Sequence, residues 1–309
     1  MASDQSPQRP GGDPPSDALA RVPDQLWASI LIEALPYIRA YQGARVVIKQ
    51  GGHAMTDPEL QRNLALDVAL LRFVGVNPVV VHGGGPQIDD LLKKLGLGRQ
   101  FVEGYRYTDE PTLDVVRMVL GGHLGKDIAS QLCQAGAKAL ALTGQDGRLI
   151  QAQRKTLPQA SGEELDIGLV GEPTQINREL LEHLFQGGII PVISPVGVDE
   201  SGQSYNINAD SAAAAVAESL KAARLILMTD VPGVLGPDGR LISRLTASEI
   251  EALKKEGAIS GGMLPKLASC LKAVKGGCQG AAIIDGRVPH AVLLELLTDH
   301  GYGTEVVLG

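Results

Sequence analysis

The chain has 309 residues, of which 44% are hydrophobic and 3% aromatic, and a net charge of −7. This length exceeds the roughly 100–200 residues typical of one domain, so it predicts one large α/β domain or two lobes. Without a cluster of Lys and Arg interleaved with aromatic residues, we expect no nucleic-acid partner. No apolar run reaches the roughly 18 residues that cross a membrane, so we expect no membrane partner either.

The cysteines and histidines indicate a cytoplasmic protein without a protein-held metal. Cys133, Cys270 and Cys278 are odd in number and lack metal-ligand spacing, which is typical of reduced thiols. The histidines considered as possible metal ligands are His53, His123, His183 and His290. They form no ligand cluster in the sequence, and no cleavable signal segment follows the start.

The first 42 residues divide into two segments. Residues 1–21 are rich in Pro, Gly, Ser and Asp, a composition that predicts a disordered tail. Residues 22–42 place apolar side chains, including Trp27, at helical spacing, and Pro36 predicts a kink. Two interpretations remain open: the helix packs on its own domain, or it projects as an arm between subunits.

The remainder, residues 43–309, alternates apolar strands with helices. Continuously apolar strands predict an open, mostly parallel sheet covered by helices on both faces, an αβα sandwich. Ligands should then gather at the carboxyl ends of the strands. Within this pattern, residues 112–135 are predicted to be one continuous helix, and residues 148–169 a surface hairpin insertion.

Two glycine-rich turns and two lysines point to phosphoryl transfer. Each turn follows an apolar strand, with the sequences KQGG at 49–52 and HGGGP at 82–86, and Lys266 ends the run SGGMLPK at 260–266. Glycine backbone N–H groups can surround a phosphoryl group, while Lys49 and Lys266 could neutralise its charge. The sequence G-x-x-x-x-G-K-[ST] of the common nucleotide-binding loop does not occur.

Two further side chains have more than one interpretation. Asp210 begins an alanine-rich helix, where it could serve only as a favourable first-turn anion. In the same crevice as the lysines, it could instead hold both of them in position. His82 precedes the second glycine turn and is interpreted as a packing or hydrogen-bonding residue rather than a base.

Seven motifs in order give the chain a family resemblance over residues 43–309. They are VVIKxGG at 46–52, NPVVVHGGGPQI at 77–88, GxRxTD at 104–109, YNINAD at 205–210, TDVPGVL at 229–235, SGGMxPK at 260–266 and IDGRVPHA at 284–291. With these motifs the chain resembles the N-acetyl-L-glutamate kinases, a branch of the amino acid kinase superfamily. The resemblance implies the open αβα fold of that superfamily, with an acceptor lobe at 43–220 and an ATP lobe at 221–309.

The resemblance also implies a role for each matched position. The catalytic residues would be Lys49, Lys266 and Asp210. The acceptor would be held by Gly84, Gly85, Arg106, Asn206 and Asn208. ATP would be held by Lys49, Gly51, Gly52, Thr229, Asp230, Met263 and Lys266. Mg²⁺ would accompany the ATP, held mainly by the nucleotide. The implied reaction phosphorylates the γ-carboxylate of N-acetyl-L-glutamate in the second step of arginine synthesis.

Several departures leave alternatives for the substrate and the function. Gln50 and His53 replace residues usual near Lys49, the segment 123–126 has lost a Lys and an Asn, and Gln145 replaces a Lys. The acceptor could therefore be another acylated amino acid, such as N-succinylglutamate. A weakly active sensor of arginine or of a nitrogen-signalling protein is the alternative from a different class.

Both ends of the chain resemble the arginine-inhibited branch of this family. The matching segments are residues 31–38 and 290–304. The resemblance implies a homo-oligomer, a dimer or a trimer of dimers, and an L-arginine site formed by Glu295, Gly301 and Gly303. The alternative for the second segment is a helix cap followed by a final edge strand.

Overall fold

The computed structural model describes residues 23–159, 163–259, 261–299 and 301–309. The tail predicted at 1–21 lies outside the described residues. The described helices are α1 Asp24–Tyr41, α2 Pro58–Phe73, α3 Gly85–Lys94, α4 Glu110–Arg117, α5 Gly125–Gln134, α6 Arg178–Gln186, α7 Ala209–Leu220, α8 Ala247–Lys255, α9 Met263–Lys275 and α10 Ala291–Leu297. The described strands are β1 Arg45–Gln50, β2 Asn77–His82, β3 Phe101–Val102, β4 Tyr105–Arg106, β5 Lys138–Thr143, β6 Ile150–Pro158, β7 Glu164–Ile176, β8 Ile189–Ser194, β9 Val196–Val198, β10 Ser204–Ile207, β11 Arg224–Thr229, β12 Arg244–Thr246, β13 Ala281–Asp285 and β14 Gly303–Val307.

A central sheet of eight strands organises the molecule, in the order β12-β14-β13-β11-β1-β2-β8-β5. Every neighbouring pair is parallel except β13 and β14. Successive residues of β1 pack on opposite faces: Val47 lies in the core with α7 and α9, and Ile48 in the core with α2 and α10. This is the predicted mostly parallel αβα sandwich, and the prediction is confirmed.

The two predicted lobes correspond to the two halves of the strand order in the central sheet. Strands β1, β2, β5 and β8 come from residues 43–220, and β11 to β14 come from residues 221–309. Parallel pairing of β1 with β11 joins the two halves. The assignment of one half to the acceptor and the other to ATP stays a prediction.

A second, smaller sheet contains the predicted hairpin. Strands β6 and β7 pair antiparallel, and β9 and β10 close them into a four-stranded unit. The hairpin extends well beyond residue 169, and Ile167 and Val170 are buried. It is therefore part of a core rather than a surface insertion, because β7 also pairs with β10.

The helix predicted at 112–135 is not one regular α-helix. Between α4 and α5 the residues Met118–Leu124 form a π-helical segment. A methyl group on Gly121 would lie 2.7 Å from Cγ2 of Thr143, so the backbone passes close to β5 there. Wide turns of this kind occur often at functional sites. The carbonyl of Leu120, in this segment, accepts a 2.9 Å hydrogen bond from Ser194.

Helix α1 runs continuously through Pro36, and the predicted kink stays a prediction. Its apolar side chains are uncovered: Leu26 is 49% exposed, Ile30 47% and Leu31 66%. Near its carboxyl end, the Tyr37 hydroxyl donates to Asp299. The exposed apolar side chains lie mainly in the first half of α1, whereas Ile38 in its second half is partly buried.

The final strand is not at the edge of the sheet. Strand β14 lies between β13 and β12, so the alternative of a final edge strand is wrong. The edge strand is β12, which was not predicted. Helix α8, which follows β12, was not predicted either. Among the described helices, none combines the length and apolar character needed to cross a membrane.

Candidate active site

The site is built around one carboxylate and two ammonium groups. Lys49 Nζ, from the carboxyl end of β1, lies 3.0 Å from Oδ1 of Asp210, and Lys266 Nζ, from α9, lies 2.8 Å from Oδ2. Lys49 and Asp210 are buried. Asp210 also lies in the first turn of α7, so both interpretations of this residue from the sequence describe it.

Burial and mutual charge set the protonation of these groups. Burial alone would raise the pKa of Asp210, but the two ammonium groups outweigh it and hold that pKa at about 2. Burial lowers the pKa of Lys49, and Lys266 adds to the effect while Asp210 opposes it. Asp210 is therefore ionised at neutral pH and fixes the ammonium groups close together.

A cavity of about 410 Å³ reaches Asn208 and Ala209, the residues just before Asp210 at the start of α7. All five residues predicted to bind the acceptor line it: Gly84, Gly85, Arg106, Asn206 and Asn208. Gly84 and Asn208 are the N-caps of α3 and α7, so two helix amino ends face this space. Free backbone N–H groups and the helix dipole favour an anion there.

Arg106 is buried at the wall of this cavity. Its Nη1 lies 2.5 Å from Oδ1 of Asp89, and its Nη2 donates to the carbonyl of Gly85 at 3.4 Å. Its guanidinium also lies 4.8 Å from the centre of the Phe101 ring. These contacts orient a planar group that can bind a carboxylate with two parallel hydrogen bonds.

Thr108 joins two of the predicted acceptor residues. Its hydroxyl donates to the carbonyl of Arg106 at 2.9 Å and accepts from Nδ2 of Asn206 at 3.1 Å, and the residue is fully buried. Sequence reasoning assigned no role to Thr108 or to Asp89. Thr108 lies within the GxRxTD motif, which was the available signal, but nothing in the spacing indicated the contact of Asp89 with Arg106.

Asn208 both caps helix α7 and lines the cavity. Its side-chain oxygen accepts from the backbone N–H groups of Asp210 at 2.9 Å and Ser211 at 3.1 Å, which caps α7. The cap fixes the first turn of the helix that carries Asp210. The same residue therefore orders both the cavity and the charged centre.

The glycine turn after β1 approaches the end of β11. Gly52 has φ +66°, a conformation that favours glycine, and a side chain there would collide with the Asp230 carboxylate. Lys49 lies at the carboxyl end of β1, Gly51 follows that strand, and Thr229 ends β11. Met263 is half-buried at the start of α9. These residues, predicted to bind ATP, lie near the carboxyl ends of β1 and β11 and on α9.

An ion pair that sequence reasoning missed lies beside Thr229. Asp285 ends β13 opposite Thr229 and accepts from the Arg287 side chain at 2.9 and 2.7 Å. Hydrogen bonding by Arg287 lowers the pKa of Asp285. The IDGRVPHA motif contains both residues, but their contact depends on the turn that follows β13.

His82 is a buried hydrogen-bonding residue, as predicted. Its Nε2 lies 2.8 Å from the Ser194 hydroxyl, and its Nδ1 lies 2.8 Å from the Gly83 carbonyl. Burial lowers the pKa of His82 to about 4, so the ring is neutral at pH 7. The side chain of His53 lies outside the described part of the chain.

The residues predicted to bind arginine lie at the carboxyl end of the chain. Glu295 accepts from the backbone N–H of Tyr302 at 2.8 Å, and burial raises its pKa. Gly303 lies in β14 directly against the Ile283 carbonyl, where a side chain would collide. The close packing of β14 on β13 therefore requires glycine at position 303 whether or not a ligand binds there. The arginine site stays a prediction.

The described residues contain no group of three or more His, Cys, Asp or Glu placed to hold a metal ion. Lys49 and Lys266 already bind both oxygens of Asp210. That Mg²⁺ is held mainly by the nucleotide stays a prediction.

A family model described as "Amino acid kinase family" matches residues 44–285. The chain belongs to the amino acid kinase family. Among curated relatives of this family, "Acetylglutamate kinase" from Bordetella avium is 52% identical over 281 residues, 90% of this chain and 94% of its own. "Acetylglutamate kinase" from Stutzerimonas stutzeri is 52% identical over 291 residues, 93% of this chain and 97% of its own. Relatedness at this level places the chain among the acetylglutamate kinases of the family.

A solved structure with the same kinase fold is N-acetylglutamate synthase from Neisseria gonorrhoeae, complexed with coenzyme A and N-acetyl-glutamate. It is 26% identical, with a TM-score of 0.81, and the match covers 92% of this chain. This chain spans 64% of the length of that synthase.

Proposed function

We propose that this amino acid kinase transfers the γ-phosphoryl group of ATP to the γ-carboxylate of N-acetyl-L-glutamate. One observation carries the proposal: the five predicted acceptor residues line one cavity, which reaches the start of α7, where Asp210 holds Lys49 and Lys266. The names of the curated relatives support the same acceptor. The product, N-acetyl-γ-glutamyl phosphate, would serve the second step of arginine synthesis.

The chemistry needs positioning and charge neutralisation rather than a strong base. A γ-carboxylate is ionised at neutral pH and can attack phosphorus directly once aligned. A bond forms between a carboxylate oxygen and the γ-phosphorus, while the bond from that phosphorus to the β-γ bridging oxygen breaks and ADP leaves. Lys49 and Lys266 would neutralise the charge on the transferring group, and Asp210 would hold their ammonium groups in place.

Arg106 would orient the acceptor through its α-carboxylate. Its planar guanidinium suits a two-pronged contact better than a lysine would. The amino ends of α3 and α7 would add backbone donors near Gly84 and Asn208. The two charged ends of the acceptor would then be bound at separate points of the cavity, so that only the γ-carboxylate faces the nucleotide.

Mg²⁺ would be held mainly by the phosphates of ATP, since Asp210 is already paired with two lysines. Bound there, it would neutralise charge on the β- and γ-phosphates. The residues proposed to hold the nucleotide itself are Gly51, Gly52, Thr229, Asp230 and Met263.

Trapping of the acyl phosphate with hydroxylamine tests this function. The purified full-length protein is incubated with ATP, Mg²⁺ and, in parallel, N-acetylglutamate, N-succinylglutamate, glutamate or aspartate. The proposal expects the greatest rate of hydroxamate formation with N-acetylglutamate. A greater rate with N-succinylglutamate would keep the chemistry and change the substrate, whereas no hydroxamate with any acceptor would overturn the proposal.

We further propose that the enzyme is a homo-oligomer inhibited by L-arginine. The uncovered apolar side chains of α1 support an intersubunit role for this helix. The contact of Tyr37 with Asp299 links α1 to the segment after α10, next to Glu295. An effector bound between these elements would alter the packing of α1 and, through it, the acceptor site.

A further inference from the structure

A three-residue ion network connects the hairpin to helix α9. Glu172, on β7, lies between two ammonium groups: Lys155 Nζ is 2.7 Å from Oε2, and Lys272 Nζ is 3.2 Å from Oε1. The side chain of Glu172 is 28% exposed, so the pairs are partly shielded from water. Although partial burial opposes ionisation, the two lysines lower the pKa of Glu172 and keep it charged.

One end of this network reaches the wall of the cavity. The Lys155 ammonium lies 5.2 Å from the centre of the Tyr105 ring, and Tyr105 lines the cavity. Opposite Lys155, the pairing of β6 with β7 is irregular, because residues 167–170 face this single residue. Such bulges redirect side chains. Residues 167–170 also bond to Thr108, which holds Arg106 and Asn206.

The other end of the network is the helix that carries Lys266. Lys272 lies on α9, and the first turns of α9 bring Lys266 to Asp210. The hairpin belongs to residues 43–220 and α9 to residues 221–309. A single carboxylate therefore joins the wall of the acceptor cavity to the element that positions one of the two phosphoryl-binding lysines.

We propose that Glu172 is a positioning residue for phosphoryl transfer, which holds helix α9 and the hairpin wall of the acceptor cavity at a fixed separation through Lys272 and Lys155. This inference rests on the proposed function. Glu172 is not among the residues that line the acceptor cavity. It acts through Lys272 on the placement of Lys266, and through Lys155 on Tyr105.

The chain offers a matched control for this carboxylate. Glu182 also lies between two cations, Arg45 at 2.8 Å and Arg178 at 3.3 Å, and its side chain is 26% exposed. It lies on α6 beside the first residue of β1, at the amino edge of the sheet and away from the site. Glu172→Gln and Glu182→Gln therefore remove the same charge from similar surroundings, and only one of them breaks the proposed link.

The experiment measures steady-state kinetics and thermal unfolding of the wild type, Glu172→Gln, Lys272→Met, their double variant and Glu182→Gln. We expect Glu172→Gln to lower turnover about three- to tenfold, with the KM for ATP within twofold of wild type. Lys272→Met should act similarly, and the double variant should be no worse than the poorer single variant, because both remove one link. Glu182→Gln should leave the kinetics within twofold at a comparable unfolding temperature.

Equal kinetics for Glu172→Gln and Glu182→Gln would overturn the inference, as would a double variant whose loss is the product of the two single losses. Activity of the wild type towards N-acetylglutamate tests the proposed function separately. A readout without acceptor completes the test: a non-hydrolysable ATP analogue should slow amide hydrogen exchange at 164–176 in the wild type but not in Glu172→Gln. Equal slowing in both proteins would also overturn the inference.

Discussion

Lys49 on β1 and Lys266 on α9 bind opposite oxygens of the same buried carboxylate, that of Asp210. One ammonium group comes from residues 43–220 and the other from residues 221–309. Because the carboxylate is shared, a shift of either lysine changes the position available to the other. A change in the relative position of residues 43–220 and 221–309 would therefore change the distances within this charged centre.

Replacing either lysine with methionine should affect the chemical step most. Lys49→Met or Lys266→Met is expected to lower turnover by roughly 10²–10³, with a smaller effect on ATP binding, since these groups act on charge that develops in the transition state. Hydroxamate formation at saturating substrates gives turnover, and calorimetry gives ATP affinity. Lys94→Met, a surface change at a side chain 68% exposed, is the control. Turnover within threefold of wild type in Lys49→Met or Lys266→Met contradicts the assignment.

A second prediction separates acceptor recognition from chemistry. Arg106→Lys keeps the charge but loses the two-pronged geometry, so the KM for N-acetylglutamate should rise at least about tenfold while the KM for ATP barely changes. Arg178→Lys is the control, because Arg178 also contacts a carboxylate, that of Glu182 at 3.3 Å, but its side chain is 49% exposed and does not line the cavity. We expect less than a threefold change there. A rise in the KM for ATP instead would assign Arg106 to the nucleotide.

Two adjacent glycines should respond differently to the same methyl group. In Gly84→Ala the new methyl would lie 2.5 Å from Leu120 and 2.7 Å from Leu124, whereas at Gly85 nothing lies within 4 Å. Overpacking of this kind lowers the free energy of unfolding by about 1–3 kcal/mol. Gly85→Ala should change it by less than about 0.5 kcal/mol. Urea unfolding measures both, and equal stability of the two variants would show that the π-helical segment yields without strain.

Asp67 predicts an unusual pH dependence of stability. Burial raises its pKa to about 6, although a 2.5 Å contact with His290 opposes the rise. A raised carboxyl pKa means that the folded state binds the proton more tightly than the unfolded state. The stabilisation is therefore complete below pH about 4 and is lost as pH rises through about 6, by roughly 3 kcal/mol in all.

The substitution Asp67→Asn isolates this contribution. His82, whose pKa is lowered to about 4, works in the opposite direction over the same range, so the wild-type curve alone is not decisive. We expect the difference in unfolding free energy between Asp67→Asn and wild type to shift in favour of the variant as pH rises from 4 to 6. A constant difference over that range would show that Asp67 titrates normally.

The regulatory proposal predicts a linked loss of assembly and inhibition. Deleting residues 1–41 removes the uncovered apolar face of α1 together with the Tyr37–Asp299 contact. We expect the truncated protein to be a dimer that keeps substantial activity and is no longer inhibited by L-arginine. Light scattering gives the assembly, and activity in millimolar arginine gives the inhibition. A full-length dimer that is indifferent to arginine would refute the regulatory proposal and leave the kinase proposal intact.

Local patterns predicted the parts of the molecule that depend on local chemistry. Apolar runs predicted strands β1 and β2, and the glycines after them predicted turns, because burial and backbone conformation are read from neighbouring residues. Lys49 was recognisable since a charge at the end of a buried strand needs a partner. The pairing of Asp210 with both lysines remained one of two interpretations until the topology brought α7 and α9 to β1.

Contacts that depend on register could not be predicted in this way. Thr108 joins Arg106 to Asn206 only because β4 and β10 both lie against the irregular part of β7. The π-helical segment was missed because its sequence has ordinary helical periodicity, and its geometry is set by packing against Thr143 and Ser194. Such features arise from tertiary packing, which the spacing of residues along the chain does not contain.

The position of β1 has a consequence for how the chain folds. Its neighbour β2 follows it closely in sequence, but its other neighbour, β11, begins only at Arg224. During synthesis, the backbone groups of β1 that pair with β11 therefore stay unpaired until most of the chain has left the ribosome. Exposed strand edges invite pairing with other chains, and such distant contacts form slowly. We therefore expect the nascent chain to depend most on chaperones before β11 has emerged from the ribosome.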